Sequence, residues 1–120
     1  MKIAVTSRGA ELESEVDPRF GRARYFVIVD TETGESQAVD NEQNLNAAQG
    51  AGIQAAQLVA QQGVEALLTG HVGPNAFRAL SAAGIKIYSN AEGTVGDAVE
   101  QLKAGKLAQA EGADVQGHWM

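Results

Sequence analysis

The hydrophobic pattern of this chain changes its period once, between residues 41 and 49, and this change constrains the fold most. Before it, short β-branched and aromatic runs predict strands over 2–7, 24–30 and 35–40, the last two joined by the turn TETG. After it, helical spacing alternates with short apolar runs. This predicts strands over 64–69 and 85–89, and helices that begin near residues 50, 74 and 94 and stop at Gly63, Gly84 and Gly105. The polar residues 41–49 are predicted to form a loop.

The element order is therefore three strands, followed by helices that alternate with two more strands. Because crossovers between parallel strands are right-handed, the simplest arrangement is a mixed five-stranded sheet in the order 3-2-1-4-5. In this α/β arrangement strand 2 is antiparallel and helices cover both faces, which is a ribonuclease H-like topology. The 120 residues predict a single domain over 1–105. The tail, 106–120, lacks periodicity and is expected to be partly disordered.

One edge of such a sheet collects the loops that follow strands 1, 3, 4 and 5 and the loop that precedes strand 2. Open α/β sheets bind ligands at the carboxyl ends of their strands, near the point where strand direction switches. Strand 1 lies at that point, because its neighbours are antiparallel on one side and parallel on the other. We therefore expect the functional site at the end of strand 1.

Positive charge is concentrated on this edge of an acidic chain. The net charge is −6, yet four of the five arginines lie between positions 8 and 24. Helix starts near residues 50 and 74 present unsatisfied N–H groups to the same edge, and glycines allow close approach of a ligand. The sequence predicts an anion pocket here, with charge from Arg8, Arg19, Arg22 and Arg24 and N–H groups from the turn Gly70, His71, Val72, Gly73, Pro74 and Asn75.

Composition excludes several kinds of site. The chain has no cysteine, so zinc–thiolate sites, cysteine nucleophiles and cysteine-ligated iron–sulfur clusters are excluded. The two methionines are the chain ends, which leaves a soft metal without sulfur ligands. The negative net charge argues against nonspecific nucleic-acid binding. No stretch is long and apolar enough for a membrane span, and the polar start predicts a cytoplasmic protein.

Three catalytic or cofactor alternatives are weaker. Gly50-x-Gly52-x-x-Ala55 matches a dinucleotide fingerprint, but no strand runs directly into it. A nuclease of this topology needs carboxylates that bind two metal ions, and strand 1 has none. His71 is the one available base for an enzyme acting on a small anion. As a direct metal ligand His71 is less favoured than as a turn residue that contacts the ligand.

Four segments together resemble the dinitrogenase iron–molybdenum cofactor-binding family. They span nearly the whole chain: VDPRFGRARYFVIVD (16–30), GAGIQAAQLVAQQGVEALLTG (50–70), GHVGPNAFRALSAAGIKIY (70–88) and GTVGDAVEQLKAG (93–105). Within the family, the chain is most similar to the orange proteins. Some relatives carry a cysteine near the turn at residue 72, where this chain has Val72, so a covalent anchor is absent there.

The resemblance implies a non-enzymatic carrier of an anionic metal–sulfur cluster, of the molybdenum–copper sulfide type, held without covalent attachment. It also implies a second function, that of a regulatory adaptor for a deviant-Walker ATPase of the chromosome- or septum-positioning type. The adaptor would use the pocket for a small anion. Both functions fit the ribonuclease H-like fold that the family adopts.

Overall fold

The computed structural model describes residues 1–45 and 50–112, and a five-stranded sheet forms its centre. The strands are β1 (Lys2–Ser7), β2 (Tyr25–Asp30), β3 (Ser36–Asp40), β4 (Ala66–Leu68) and β5 (Lys86–Tyr88). The helices are α1 (Glu42–Leu45), α2 (Ala51–Ala60), α3 (Pro74–Ala82) and α4 (Val95–Lys103). Every strand predicted from the sequence is present, within two residues at each end.

The sheet has the order β3-β2-β1-β4-β5, which confirms the predicted order. β2 is antiparallel to both β1 and β3, whereas β4 is parallel to β1 and β5. The switch from antiparallel to parallel pairing therefore occurs at β1, as predicted. β1 is buried along its whole length after Lys2, because it lies in the middle of the sheet with helices over both faces.

Alternate residues of the central strands enter two separate cores, because side chains on a strand point to opposite faces in turn. Ala4 and Leu67 pack under α2 and α3, together with Val59 and Leu80. On the other face, the core contains residues of β1, β2 and β4 together with α4: Ile3, Val5, Val27, Val29, Leu68, Val95, Ala98 and Val99. Burial on both faces explains why residues 3–5 of β1 and all of β4 are apolar.

The prediction of a loop over residues 41–49 is wrong for residues 42–45, which form the short helix α1. Asp40 Oδ1 accepts the N–H of Glu42 at 2.7 Å, and the Asn44 amide donates to Asn41 Oδ1 at 2.6 Å. Asparagine and aspartate favour loops because their side chains bond to nearby backbone. Here the same bonds hold a helical turn. The rest of that predicted loop, residues 46–49, lies outside the described residues.

Residues 106–112 continue from α4 toward the edge strand β5. The N–H of Ala110 donates to the carbonyl of Ile87 at 2.7 Å, and Gln109 forms a bridge with Tyr88. The remainder of the predicted tail, residues 113–120, lies outside the described residues. No helix in the described ranges combines the length and the apolar content that a membrane span requires.

The capping box at the start of α4 gives a direct test of the fold. Thr94 Oγ1 accepts the N–H of Asp97 at 3.1 Å, and Asp97 Oδ2 accepts the N–H of Thr94 at 3.0 Å. We predict that Thr94→Ala lowers the free energy of unfolding by about 1 kcal/mol in urea titrations, because an N-cap acceptor is lost. The control is Thr33→Ala, which removes a hydroxyl from an exposed turn. Equal losses in the two variants would contradict a capping role for Thr94.

Candidate functional site

Two loops pair with each other beyond the carboxyl ends of β1 and β4. The N–H of His71 donates to the carbonyl of Pro18 at 2.7 Å, and the N–H of Phe20 donates to the carbonyl of His71 at 3.3 Å. Arg19 and His71 therefore form an isolated parallel bridge. The backbone N–H of His71 was predicted to bind the anion. It instead donates to a carbonyl of the protein and joins the two loops.

Gly70 allows this pairing because the two backbones touch. A Cβ added at Gly70 would lie 2.6 Å from the Cα and 2.7 Å from the carbonyl oxygen of Pro18. Real Cβ atoms do not approach that closely, so any side chain would separate the loops. The requirement for glycine at this position is thus steric.

Buried polar groups support the loops from below. Thr6 Oγ1 donates to the carbonyl of Asp17 at 2.7 Å and lies 3.0 Å from Thr69 Oγ1. Asp17 Oδ1 accepts the N–H of Arg19 at 3.0 Å. Thr6, Asp17 and Thr69 are all buried. These bonds tie the loop 17–20 to the ends of β1 and β4, which makes the edge of the sheet rigid.

A cleft opens beside the paired loops, where the first turns of α2 and α3 meet. Its volume is about 50 Å³, and it is open to solvent. Gly52 makes the approach of the helices possible, since a Cβ there would lie 3.3 Å from the Cβ of Ala76. Gly50, Ala51, Gly52, Ile53, Gly73, Asn75 and Ala76 line the cleft.

Neither helix start at the cleft carries a side-chain cap. Gly50 precedes α2 with φ of 75°, a left-handed conformation that glycine adopts without strain. Gly73 precedes α3, and Pro74 occupies the first helical turn. N–H groups in the first turn of a helix have no intrahelical acceptor. The cleft is therefore bordered by the positive ends of two helix dipoles, neither of which is satisfied by a side chain of its N-cap residue.

An apolar wall completes the cleft. Ile53, on the first turn of α2, is 40% exposed. Among the described residues, Met1 at the chain end is the other large hydrophobic side chain that is exposed. An exposed isoleucine beside uncapped helix starts creates a surface that is both apolar and electrostatically positive.

The predicted arginines lie at different places along the edge. Arg8 faces Glu15, at 3.8 Å, on the side of the sheet where residues 14–16 contact the start of α4. Arg24 bonds to Asp40, faces Glu42 at 3.5 Å and stacks over the Tyr25 ring. Arg24 is thus engaged with the β2–β3 side of the molecule.

Arg19 and Arg22 lie nearer to the cleft. The guanidinium of Arg19 is 3.9 Å from the carboxylate of Asp17, and its Cα is paired with that of His71. Arg22 donates to the carbonyl of Leu45 at 3.0 Å. The preceding residue, Gly21, packs against Gly52, because an added Cβ would lie 3.2 Å from its backbone atoms. Arg22 therefore follows a direct contact with the first turn of α2.

Of the predicted turn, Gly73 and Asn75 line the cleft and Pro74 lies between them, while Gly70 and His71 hold the loops together. Val72 is buried in the core. The predicted set of site residues omits Gly50, Ala51, Gly52, Ile53 and Ala76. The helix starts near residues 50 and 74 were expected on the same edge from the sequence, and the packing of α2 on α3 shows which of their residues meet.

The described residues contain no group of three or more His, Cys, Asp or Glu side chains placed to hold a metal ion. Cysteine is absent from the whole sequence. The cleft therefore offers N–H groups, one amide side chain and an apolar surface. Such groups are suited to an anion that is held through its outer atoms.

Comparisons with known proteins agree with this architecture. The model of the family described as dinitrogenase iron-molybdenum cofactor matches residues 1–105. The apo form of the orange protein from Desulfovibrio gigas is 48% identical with a TM-score of 0.93, over 95% of this chain and 96% of that chain. A NifB-like Thermotoga protein of the DUF35 family is 39% identical with a TM-score of 0.83, over 97% and 98% of the two chains. An uncharacterised protein of Methanocaldococcus jannaschii is 31% identical over 113 residues, which is 92% of each chain.

The contact between Gly70 and Pro18 can be tested by adding one methyl group. We predict that Gly70→Ala lowers the free energy of unfolding by roughly 1–3 kcal/mol, the usual cost of overpacking a tight site. It should also speed hydrogen exchange of the His71 amide. The matched control is Gly112→Ala, where an added Cβ meets nothing within 4 Å. A Gly70→Ala protein as stable as the control would show that the loops are not held by this contact.

The pairing of Arg24 with Asp40 makes a pH-dependent prediction. The N–H of Glu42 and the guanidinium of Arg24 hold the pKa of the Asp40 carboxyl below its ordinary value. Because the pKa of Asp40 is lowered in the folded state, its ionised carboxylate stabilises the fold at pH values above the unfolded-state pKa of about 3.9. This stabilisation is lost as pH falls through the folded-state pKa. Urea titrations should therefore show Asp40→Asn less stable than wild type at pH 7, with the difference shrinking as pH falls below about 3.9. A difference that persists at low pH would contradict this origin.

Proposed function

Since this chain belongs to the dinitrogenase iron–molybdenum cofactor family, we propose that it is a non-enzymatic carrier of an anionic metal–sulfur cluster. The cluster is cargo that occupies the cleft between the starts of α2 and α3, in the cytoplasm. The observation that carries the proposal is the meeting of two uncapped helix starts beside an exposed isoleucine.

Electrostatics favour an anion in this cleft. A helix start contributes about 0.3–1 kcal/mol toward a nearby negative charge, and two starts act on the same cleft here. The N–H groups of the first turns can bond to the outer atoms of the anion, as helix starts do with phosphate. These contributions come from the backbone and need no catalytic side chain.

The apolar wall favours sulfide over oxygen at the surface of the anion. Sulfide is large and polarisable, and it holds water less strongly than an oxyanion does. Contact with Ile53 therefore removes less hydration from a thiometallate than from phosphate or molybdate of the same charge. The proposed cargo is accordingly one that brings its own sulfides.

A molybdenum–copper sulfide composition is the finer part of the proposal, and it rests on the resemblance to the orange proteins. The residues of this chain fit such a cargo because the protein has no thiolate to donate. Copper and molybdenum would then be bridged by inorganic sulfide, and the protein would contact only the periphery. Arg22 and Arg19, beside the cleft, would add positive charge at its rim.

Two implications of the resemblance stay predictions. Among the described residues, no surface feature favours the function of an adaptor for a deviant-Walker ATPase over that of a carrier. The ribonuclease H-like label is consistent with the observed strand order and describes topology alone. Neither affects the test of the cleft.

Reconstitution tests the proposal directly. Purified protein incubated anaerobically with Cu(I) and tetrathiomolybdate, then desalted, should retain molybdenum, copper and visible absorption. An excess of molybdate or phosphate should not displace them. Protein that emerges from desalting without molybdenum would refute the carrier function.

A charge placed in the cleft should abolish binding without unfolding the protein. We predict that Ile53→Asp weakens cluster binding by at least roughly tenfold, because it combines repulsion with loss of the apolar contact. The fold should persist, since aspartate in a first helical turn is favourable. Gln57→Asp adds the same charge at an exposed position of α2 outside the cleft, and should bind normally. Equal binding by both variants would place the site elsewhere.

A further inference from the structure

We infer that Arg78, held in position by Asn75, is a cationic side chain that recognises the anion in the cleft. This inference rests on the proposed function and specifies how the same site recognises negative charge. Asn75 lines the cleft, and its Oδ1 accepts a hydrogen bond from Arg78 Nη2 at 2.6 Å. Arg78 is the one arginine that lies outside the segment 8–24 on which the sequence concentrates positive charge.

The partners of the arginines distinguish Arg78 from Arg8, Arg19 and Arg24. Carboxylates face Arg8, Arg19 and Arg24, which partly neutralises the charge of each. No carboxylate of the described residues forms an ion pair with Arg78. Its bond to Asn75 is to a neutral amide oxygen, so its full charge is available to a ligand.

The geometry of the pair suits recognition of an anion. Residues 75 and 78 are three apart on α3, so their side chains lie on the same face of the helix. A guanidinium has five N–H donors in a fixed plane, and the bond to Asn75 uses the donor atom Nη2. The remaining donors can bond to a ligand, while Asn75 limits the rotation of the side chain. Arg78 is then oriented before the ligand arrives, which reduces the entropy lost on binding.

This assignment also gives Asn75 a definite role. An aspartate at position 75 would keep the contact with Arg78 but would neutralise its charge. An alanine at position 75 would leave the charge of Arg78 unchanged and remove the hydrogen bond that orients its side chain. Asn75→Ala therefore tests the placement of Arg78, and Arg78→Gln tests its charge. Asn75→Asp also repels the anion directly, because residue 75 lines the cleft.

Visible-absorption titration with tetrathiomolybdate alone, and amide NMR titration with molybdate, test the inference in two independent ways. Arg78→Gln should weaken tetrathiomolybdate binding by about tenfold and flatten its dependence on salt, because one charge-assisted contact is lost. Asn75→Asp should weaken binding as strongly although Arg78 is present. Asn75→Ala should weaken it by only roughly twofold, the scale of one side-chain pair on a helix.

Lys86→Gln is the matched control, since it removes one positive charge from an exposed position on β5. This variant should bind like wild type. Circular dichroism should show all the variants folded, because Asn75 and Arg78 are exposed.

Binding by Arg78→Gln with wild-type affinity and salt dependence would overturn the role of Arg78 and leave the carrier function standing. Loss of binding in Asn75→Ala equal to that in Asn75→Asp would also overturn the charge argument, since orientation alone would then account for both. Wild-type protein that binds neither tetrathiomolybdate nor molybdate would refute both the carrier function and this inference.

Discussion

The parallel pairing of residues 18–20 with residues 70–72 is the interaction on which the rest of the site depends. It extends the sheet beyond β1 and β4 by two backbone hydrogen bonds, and it requires glycine at position 70 because the backbones touch. The pairing fixes where the turn leading into α3 lies. Through Gly21 and its contact with Gly52, the same loop is also packed against the start of α2. The two helix starts are thereby held side by side.

A positive cleft on an acidic protein follows from this arrangement without an arginine cluster. The chain carries a net charge of −6, and three of its arginines are engaged with carboxylates. The backbone N–H groups of the two helix starts contribute positive potential to the cleft, and this contribution does not titrate with pH. An exposed isoleucine beside these N–H groups disfavours strongly hydrated anions. The cleft therefore attracts negative charge and favours anions whose surfaces are weakly hydrated.

The sheet order was predictable from the sequence, because strand direction and crossover handedness leave few arrangements, and the candidate cleft lies at the edge expected to carry the site. The cleft itself was not. Gly50 and Gly52 are visible as a helix start, but their juxtaposition with Asn75 depends on how closely α2 packs on Ala76. The arginines were grouped by sequence proximity, whereas Arg8 and Arg24 lie toward different sides of the molecule. α1 was missed because Asn41 and Asn44 favour loops in general and here bond to each other.

The central claim is that an anionic metal–sulfur cluster occupies the cleft between the first turns of α2 and α3. Amide NMR spectra of isotope-labelled protein, recorded anaerobically before and after reconstitution with Cu(I) and tetrathiomolybdate, test it most directly. We predict that the largest shifts occur at residues 50–53 and 73–76, with little change at the start of α4 or along β3. Shifts centred on those other regions, with the two helix starts unchanged, would contradict the account.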